Sequence, residues 1–260
     1  MGQPHLSVVI PAYNEALRIG SSLESIRKYS SAKMFPVELI VVDDGSTDEM
    51  PALIENLGGD WPALRVFRNE PNQGKGASVR RGFLEARGTY VLFTDADLSA
   101  PMEETDKLFA AMESTAADVA IGSRALDRNL IGVRQPLWRD LGGRMFNRLV
   151  RIFTGLAIRD TQCGLKLFRR DTARPAFQLQ RIRGFGFDVE VLFLINRLGG
   201  RITEVPVRWN NNPATKVRFL RDSVRMLCDL IRIRWWDLMG TYAKGARTNS
   251  MNRAGWRGPS

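Results

Sequence analysis

Two hydrophobic periods alternate along the first half of the chain. Short runs with a mostly apolar centre appear at "LSVVI" (6–10), "VELIVVDD" (37–44), "ALRVFRN" (63–69), "TYVLFTDAD" (89–97) and "ADVAIGSR" (117–124). Between them lie segments with apolar residues three or four apart. "ALRIGSSLESIRKY" (16–29) shows this at Leu17, Leu23 and Ile26, and "EMPALIENL", "GKGASVRRGFLEAR" and "MEETDKLFAAMES" continue it. The first pattern predicts buried strands and the second amphipathic helices, with Gly88 a helix stop. Strands apolar on both faces, alternating with helices, predict an α/β fold: a mostly parallel sheet with flanking helices. In such sheets ligands bind beyond the carboxyl ends of the strands.

The second half reads differently. Residues 124–151 hold seven arginines and two aspartates. "RDTQCGLKLF" (159–168) reads as a loop, "FDVEVLFLINRLG" (187–199) as a helix and "RITEVPVRW" (201–209) as a strand. Residues 216–239 predict one long C-terminal amphipathic helix, with apolar positions at Val217, Leu220, Val224, Leu227, Ile231, Trp235 and Leu238. This stripe packs on the body, with Arg218–Asp222 and Arg225–Asp229 pairs, lies in a membrane interface with arginines toward anionic headgroups, or does both. Residues 240–260 are expected to form a disordered tail.

Charge narrows the partners. There are 38 basic and 28 acidic residues, a formal net charge of +10, which points to an anionic partner: nucleic acid, a phosphorylated ligand or an anionic membrane. No nucleic-acid-binding motif accompanies it. Two distant cysteines, Cys163 and Cys228, and the single histidine His5 give neither a disulfide framework nor a zinc site. No run approaches the roughly 18 apolar residues of a spanning helix. The expected location is cytoplasmic, peripheral on the cytoplasmic face of a membrane.

The chemistry-bearing residues sit where strands end. Asp95 and Asp97 follow "YVLF" with one residue between them. Hard oxygen ligands of this kind suit Mg2+ or Mn2+ shared with substrate phosphates. The same residues also fit a helix N-cap ahead of Pro101. "NQGKGAS" (72–78) is not a P-loop: Asn69 stands where a glycine is needed and Gly76 where a hydroxyl is needed. Nor is it a dinucleotide turn, because Val79 occupies the third glycine position.

Taken in order, "IPAYNE" (10–15), "VVDDGSTD" (41–48), "NQGKGAS" and "TDAD" (94–97) resemble the inverting nucleotide-sugar glycosyltransferases of family 2. That resemblance implies the GT-A fold, a Rossmann-like mostly parallel sheet. It also implies a nucleotide-sugar half at 1–123 and an acceptor half at 124–215 within one catalytic domain. Pro11, Tyr13 and Glu15 would line the base and ribose, Asp43 and Asp44 would complete that pocket, and Lys75 would lie near the donor. Asp95 and Asp97 would hold the metal, Mg2+ or Mn2+. "GSR" (122–124), "DTQCGLKLF" (160–168), "GFGFDVEVL" (184–192) and "EVPVRW" (204–209) look like the polyprenyl-phosphate members, in particular dolichyl-phosphate β-glucosyltransferases. Mannosyl relatives commonly carry Gln where this chain has Ser99, so UDP-glucose is the expected donor and GDP-mannose the alternative. A transferase to a glycan hydroxyl is a further alternative, and a nucleic-acid-binding protein the rival from another class.

A lipid-phosphate acceptor also accounts for the arginines. A phosphate monoester is largely a dianion at neutral pH, needing positioning and charge neutralisation more than a base. Arg124, Arg134 and Arg139 are the candidates for binding it. Catalytic roles are expected for Asp97 and Arg124, with Asp188 a possible base.

Overall fold

The computed structural model describes residues 2–59, 61–133, 136–210 and 219–243. Seven strands form one sheet: β1 (Leu6–Ala12), β2 (Val37–Asp43), β3 (Leu64–Arg68), β4 (Tyr90–Thr94), β5 (Val119–Ser123), β6 (Leu165–Arg169) and β7 (Ile202–Pro206). Their order is β3-β2-β1-β4-β6-β5-β7. Pairings within β3-β2-β1-β4 are parallel, as is β5 with β7. β6 runs antiparallel between β4 and β5. The sheet is therefore mostly parallel, as expected, but the segment read as a loop supplies a central strand. Its residues 165–168 are all buried, and the run is too short to be told from a loop by its pattern alone.

Among the described residues eight α-helices flank the sheet: α1 (Ala16–Ser31), α2 (Met50–Gly58), α3 (Lys75–Glu85), α4 (Glu104–Thr115), α5 (Leu137–Thr154), α6 (Arg170–Leu179), α7 (Phe187–Arg197) and α8 (Phe219–Leu238). Along β1 and β2 the side chains alternate between two hydrophobic cores, one on each face of the sheet. Val9, Ile40 and Val42 pack on one face with Phe83, Phe168 and Phe177. Val8, Ile10, Leu39 and Val41 pack on the other with Ile19, Leu23 and Ile26. Both faces being covered explains strands with no polar alternation.

Three local expectations are corrected. Leu17 is fully exposed, and α1 turns Ile19, Leu23 and Ile26 inward instead. α3 ends at Glu85, before Gly88. Gly88 is instead pressed against β1, donating its N–H to Ser7 Oγ at 2.8 Å. On α8 the stripe at Val224, Ile231, Trp235 and Leu238 points to solvent, while Leu230 and Ile233 face the core. The body-packing role proposed for that stripe is therefore wrong. Val217 lies outside the described residues, as does Arg218.

Candidate active site

A cavity of about 910 Å3 opens at the carboxyl ends of β1, β2 and β4. Pro11, Tyr13, Glu15, Asp44, Lys75, Asp95 and Asp97 all line it. Four sequence motifs thus meet in one place because parallel strands put their following loops on one edge.

The first two loops are stitched together. Asn14, with φ of 53°, accepts the Thr47 N–H at 2.8 Å through Oδ1, and its own N–H donates to Ser46 Oγ at 2.9 Å. Asp48 Oδ2 accepts the N–H of Ala16 at 3.0 Å, satisfying the open start of α1. Tyr13 is 41% exposed and lines the cavity. Glu15 is ion-paired to Arg18, whose other end comes within 4.0 Å of Asp97. Arg18 is a cavity residue that the sequence reading missed. Its signal was the Glu15-to-Arg18 spacing of three at a helix start.

The two aspartates of "VVDD" have separate duties. Asp44 is buried and accepts the N–H groups of Gln73 (3.0 Å) and Gly74 (2.8 Å), plus the Asn69 amide (2.9 Å). It thereby shapes the loop that carries Lys75. Asp43 does not line the cavity. It accepts the Ser46 N–H at 2.8 Å and faces Arg68 at 3.3 Å, so it holds the turn at Gly45.

Lys75 sits at the start of α3, with its Nζ 2.7 Å from Asp95 Oδ1. Burial alone would lower its pKa, but Asp95, Asp188 and Asp97 outweigh burial and raise it, so the ammonium stays charged. Gly74 has φ of 97°, and a Cβ there would meet the Arg183 carbonyl at 2.6 Å. Only glycine lets the loop pack so tightly on residues 182–184.

Asp97 Oδ1 accepts the Ser99 N–H at 3.1 Å. α4 begins only at Glu104, without a side-chain cap, so Asp97 and Ser99 are not a helix cap. Among the described residues no three His, Cys, Asp or Glu side chains cluster as a metal cage. Two carboxylates facing an open cavity instead fit a cation that takes its remaining ligands from a bound phosphate.

The acceptor candidates are placed less directly. Arg124 is held by Asp160: Nε to Oδ2 at 2.7 Å, Nη2 to Oδ1 at 2.8 Å, and its N–H to Oδ2 at 3.0 Å. Its guanidinium lies 5.2 Å over the Trp209 ring. Burial would raise the Asp160 pKa, but Arg124 more than offsets it and the carboxyl is held below its usual range. Arg139 falls on α5, and Arg134 lies outside the described residues. Asp188 does not line the cavity. It is buried, with burial raising its pKa, and forms a 2.7 Å ion pair with the equally buried Lys166. The far wall comprises Arg181, Arg183 and Phe185, with Arg225, Asp229 and Trp236 of α8. The sequence reading gave α8 no part in the site, because a helical stripe does not reveal what its polar face meets.

Residues 7–175 match glycosyl transferase family 2, and the chain belongs to that family, with the GT-A fold. It is 37% identical to the dolichyl-phosphate beta-glucosyltransferase of Saccharomyces cerevisiae, covering 91% of this chain and 76% of that protein. The Dictyostelium discoideum enzyme of the same name is 35% identical over 92% of this chain and 76% of its own length. Among solved structures, glucosyl-3-phosphoglycerate synthase from Mycobacterium tuberculosis with uridine diphosphate superposes with a TM-score of 0.64 at 23% identity, covering 89% of this chain and 80% of that one. The same synthase has been crystallised with Mn2+, UDP-glucose and glycerol 3-phosphate. Family membership removes the nucleic-acid-binding alternative, which rested on charge alone.

Proposed function

We propose that the protein transfers glucose from UDP-glucose to a polyprenyl phosphate of the dolichyl type, inverting the anomeric configuration to give a β-linked glycosyl phosphoryl lipid. The relatives bearing that activity in their names support the reaction. The observation that carries the reading is the convergence of Tyr13, Asp44, Lys75, Asp95 and Asp97 on one cavity at the strand ends.

The chemistry follows from these groups. Tyr13 offers a stacking face to the base, and Glu15 accepts hydrogen bonds from base or ribose donors. Asp44 keeps the Lys75 loop closed. Asp95 and Asp97 would hold Mg2+ or Mn2+, which when bound neutralises the diphosphate and eases its departure. Lys75 adds a fixed positive charge where negative charge grows on the leaving UDP. A phosphate oxygen of the acceptor forms the new bond to the anomeric carbon as the bond to the UDP oxygen breaks, the electron pair leaving with UDP. With second pKa about 6, the acceptor needs no proton removed near neutral pH, so Asp188 is assigned to holding Lys166 rather than to base catalysis. Arg124, held by Asp160 outside the cavity lining, is the candidate with a pre-oriented guanidinium for the acceptor phosphate, with Arg134 and Arg139 of the same segment as further candidates.

The acceptor chain implies a bilayer. α5 and α8 pack together, and each carries an exposed apolar stripe among arginines. Among the described residues no helix is long and apolar enough to cross a membrane, so contact through this pair is peripheral, on the face where nucleotide sugar is supplied.

A transfer assay tests the reading. Purified protein with Mn2+ or Mg2+ and a short polyprenyl phosphate is expected to make glucolipid from UDP-glucose. Asp97→Ala should reduce it at least about 100-fold, the scale of losing one transition-state charge contact. Turnover with GDP-mannose alone would overturn the donor, and transfer only to a sugar hydroxyl would overturn the acceptor.

A further inference from the structure

Glu190 is the most enclosed carboxylate of the described chain, with no exposed surface. Its oxygens accept the Arg181 N–H (3.1 and 3.0 Å), the Ile182 N–H (2.7 Å) and the Tyr242 hydroxyl (2.8 Å). Burial pushes its pKa up, while these donors oppose that shift. Every partner donates, which suits an ionised carboxylate. Tyr242 is itself buried, just beyond the end of α8. The start of the segment expected to be a disordered tail is therefore part of the fold.

The contacts around this pair run in both directions. Toward α8, the Arg181 guanidinium lies 5.1 Å over the Trp236 ring, and Trp236 meets Tyr242 edge-on at 6.3 Å. Gly186 lies so close to α8 that a Cβ there would come within 2.6 Å of Asp229 Oδ2. Toward the donor side, Gln180 Nε2 donates to the carbonyls of Gly76 (2.8 Å) and Ile182 (2.9 Å), and Ala77 N–H donates to the Arg183 carbonyl (3.2 Å). Residues 180–186 are thus wedged between α8 and the loop of Lys75, and Glu190 fixes their start. Simple attachment of α8 would be served as well by an apolar contact, without the cost of burying a charge. Directional bonds to two consecutive N–H groups and one hydroxyl specify register.

We propose that Glu190 and Tyr242 are positioning residues. They set α8 against residues 180–186 and so fix the acceptor-side wall formed by Arg181, Arg183 and Arg225. This deepens the proposed function and rests on it: the arginines of this wall line the same cavity as the donor groups and would meet the lipid phosphate there, in addition to the Arg124 segment.

The experiment uses the full chain carrying Tyr242→Phe, with Glu190→Gln as the second variant. KM is measured for UDP-glucose and for a short polyprenyl phosphate, and amide hydrogen exchange is followed at residues 181–186. Loss of the hydroxyl is expected to raise acceptor KM about fivefold to tenfold, the scale of one ordinary net hydrogen bond. KM for UDP-glucose should stay within about twofold, and exchange at 181–186 should accelerate about tenfold. Glu190→Gln, which keeps an oxygen acceptor, should fall between wild type and Tyr242→Phe. Unchanged acceptor KM and exchange in Tyr242→Phe would overturn the proposal, as would equal rises in both KM values. Should the unsubstituted protein make no glycolipid, the functional reading fails, and faster exchange confined to 181–186 then decides the positioning role alone.

Discussion

A methyl group on Gly164 would overlap the carboxylate of Asp95, and the Gly164 carbonyl also accepts the Asp95 N–H at 3.2 Å. β6 therefore sets the orientation of one metal candidate through its preceding loop, with no side chain at the contact. Gly164→Ala should leave the two cores intact but swing Asp95 away from Lys75 and from the cavity. Turnover should drop about 100-fold, the usual cost of a misplacement near 1 Å, with a weaker response to Mn2+ and a melting temperature within a few degrees of wild type. Steady-state rates across a Mn2+ titration, alongside a thermal melt, check this. Residue types at strand ends were legible in the sequence because loops that bind phosphate or metal use few chemistries. Tyr13, Glu15, Asp44, Lys75, Asp95 and Asp97 were found that way. Asp43 was read by the same signal and Asp188 from "FDVE" at the start of α7; neither lines the cavity, Asp43 meeting Arg68 and Asp188 meeting Lys166. A carboxylate at the end of a strand or the start of a helix looks the same in sequence whether it faces ligand, Arg68 or Lys166.

The elements that eluded the sequence are those whose neighbours are distant in the chain. β6 is one: five residues long and antiparallel in a mostly parallel sheet. It brings Lys166 beneath the site. α5 is another, because its arginines masked an amphipathic helix. The Arg124–Asp160 pair, joining the end of β5 to the turn before β6, shows what such elements contribute. Asp160 has a depressed folded pKa, so its stabilisation is present above the unfolded value of about 3.9 and is lost as pH falls below it. Glu104 behaves likewise: burial would raise its pKa, but Lys107 and Arg208 outweigh that. Stability should hold from neutrality to about pH 5 and fall steeply below pH 4. Asp160→Asn should lower stability near neutrality by about 2 kcal/mol, the range for a charged hydrogen bond, and make the acid limb shallower. Denaturant melts at a series of pH values measure both. An acid limb as steep in the variant as in wild type would remove Asp160 from this account.

At the scale of the whole molecule, the question is why a chain with so large a basic excess leaves two apolar stripes in solvent. α5 exposes Trp138, Leu141, Met145 and Ile152, and its partner α8 exposes Val224, Ile231, Trp235 and Leu238. Arg144, Arg151, Arg225 and Arg232 are exposed on the same helices. A solvated surface seldom gathers tryptophans and long aliphatic side chains on adjacent helices, whereas an interfacial helix uses both, with basic residues nearby for anionic headgroups. α8 also lines the cavity, so binding through this face would bring the cavity wall down to the headgroup region, where an acceptor phosphate sits. Two consequences can be separated. Flotation with phosphatidylserine-containing vesicles should recover the protein at low salt and release much of it at high salt, because screening shortens the reach of the arginines to a few ångströms. Replacing Trp138 and Trp235 together by serine should abolish flotation at any salt while leaving the affinity for UDP with Mn2+ unchanged, since neither residue lines the cavity. The same double variant should still act on a short, water-soluble polyprenyl phosphate and fail on a long one presented in vesicles. Equal loss on both acceptors would place the two tryptophans in the catalytic body and leave the paired helices without a membrane role.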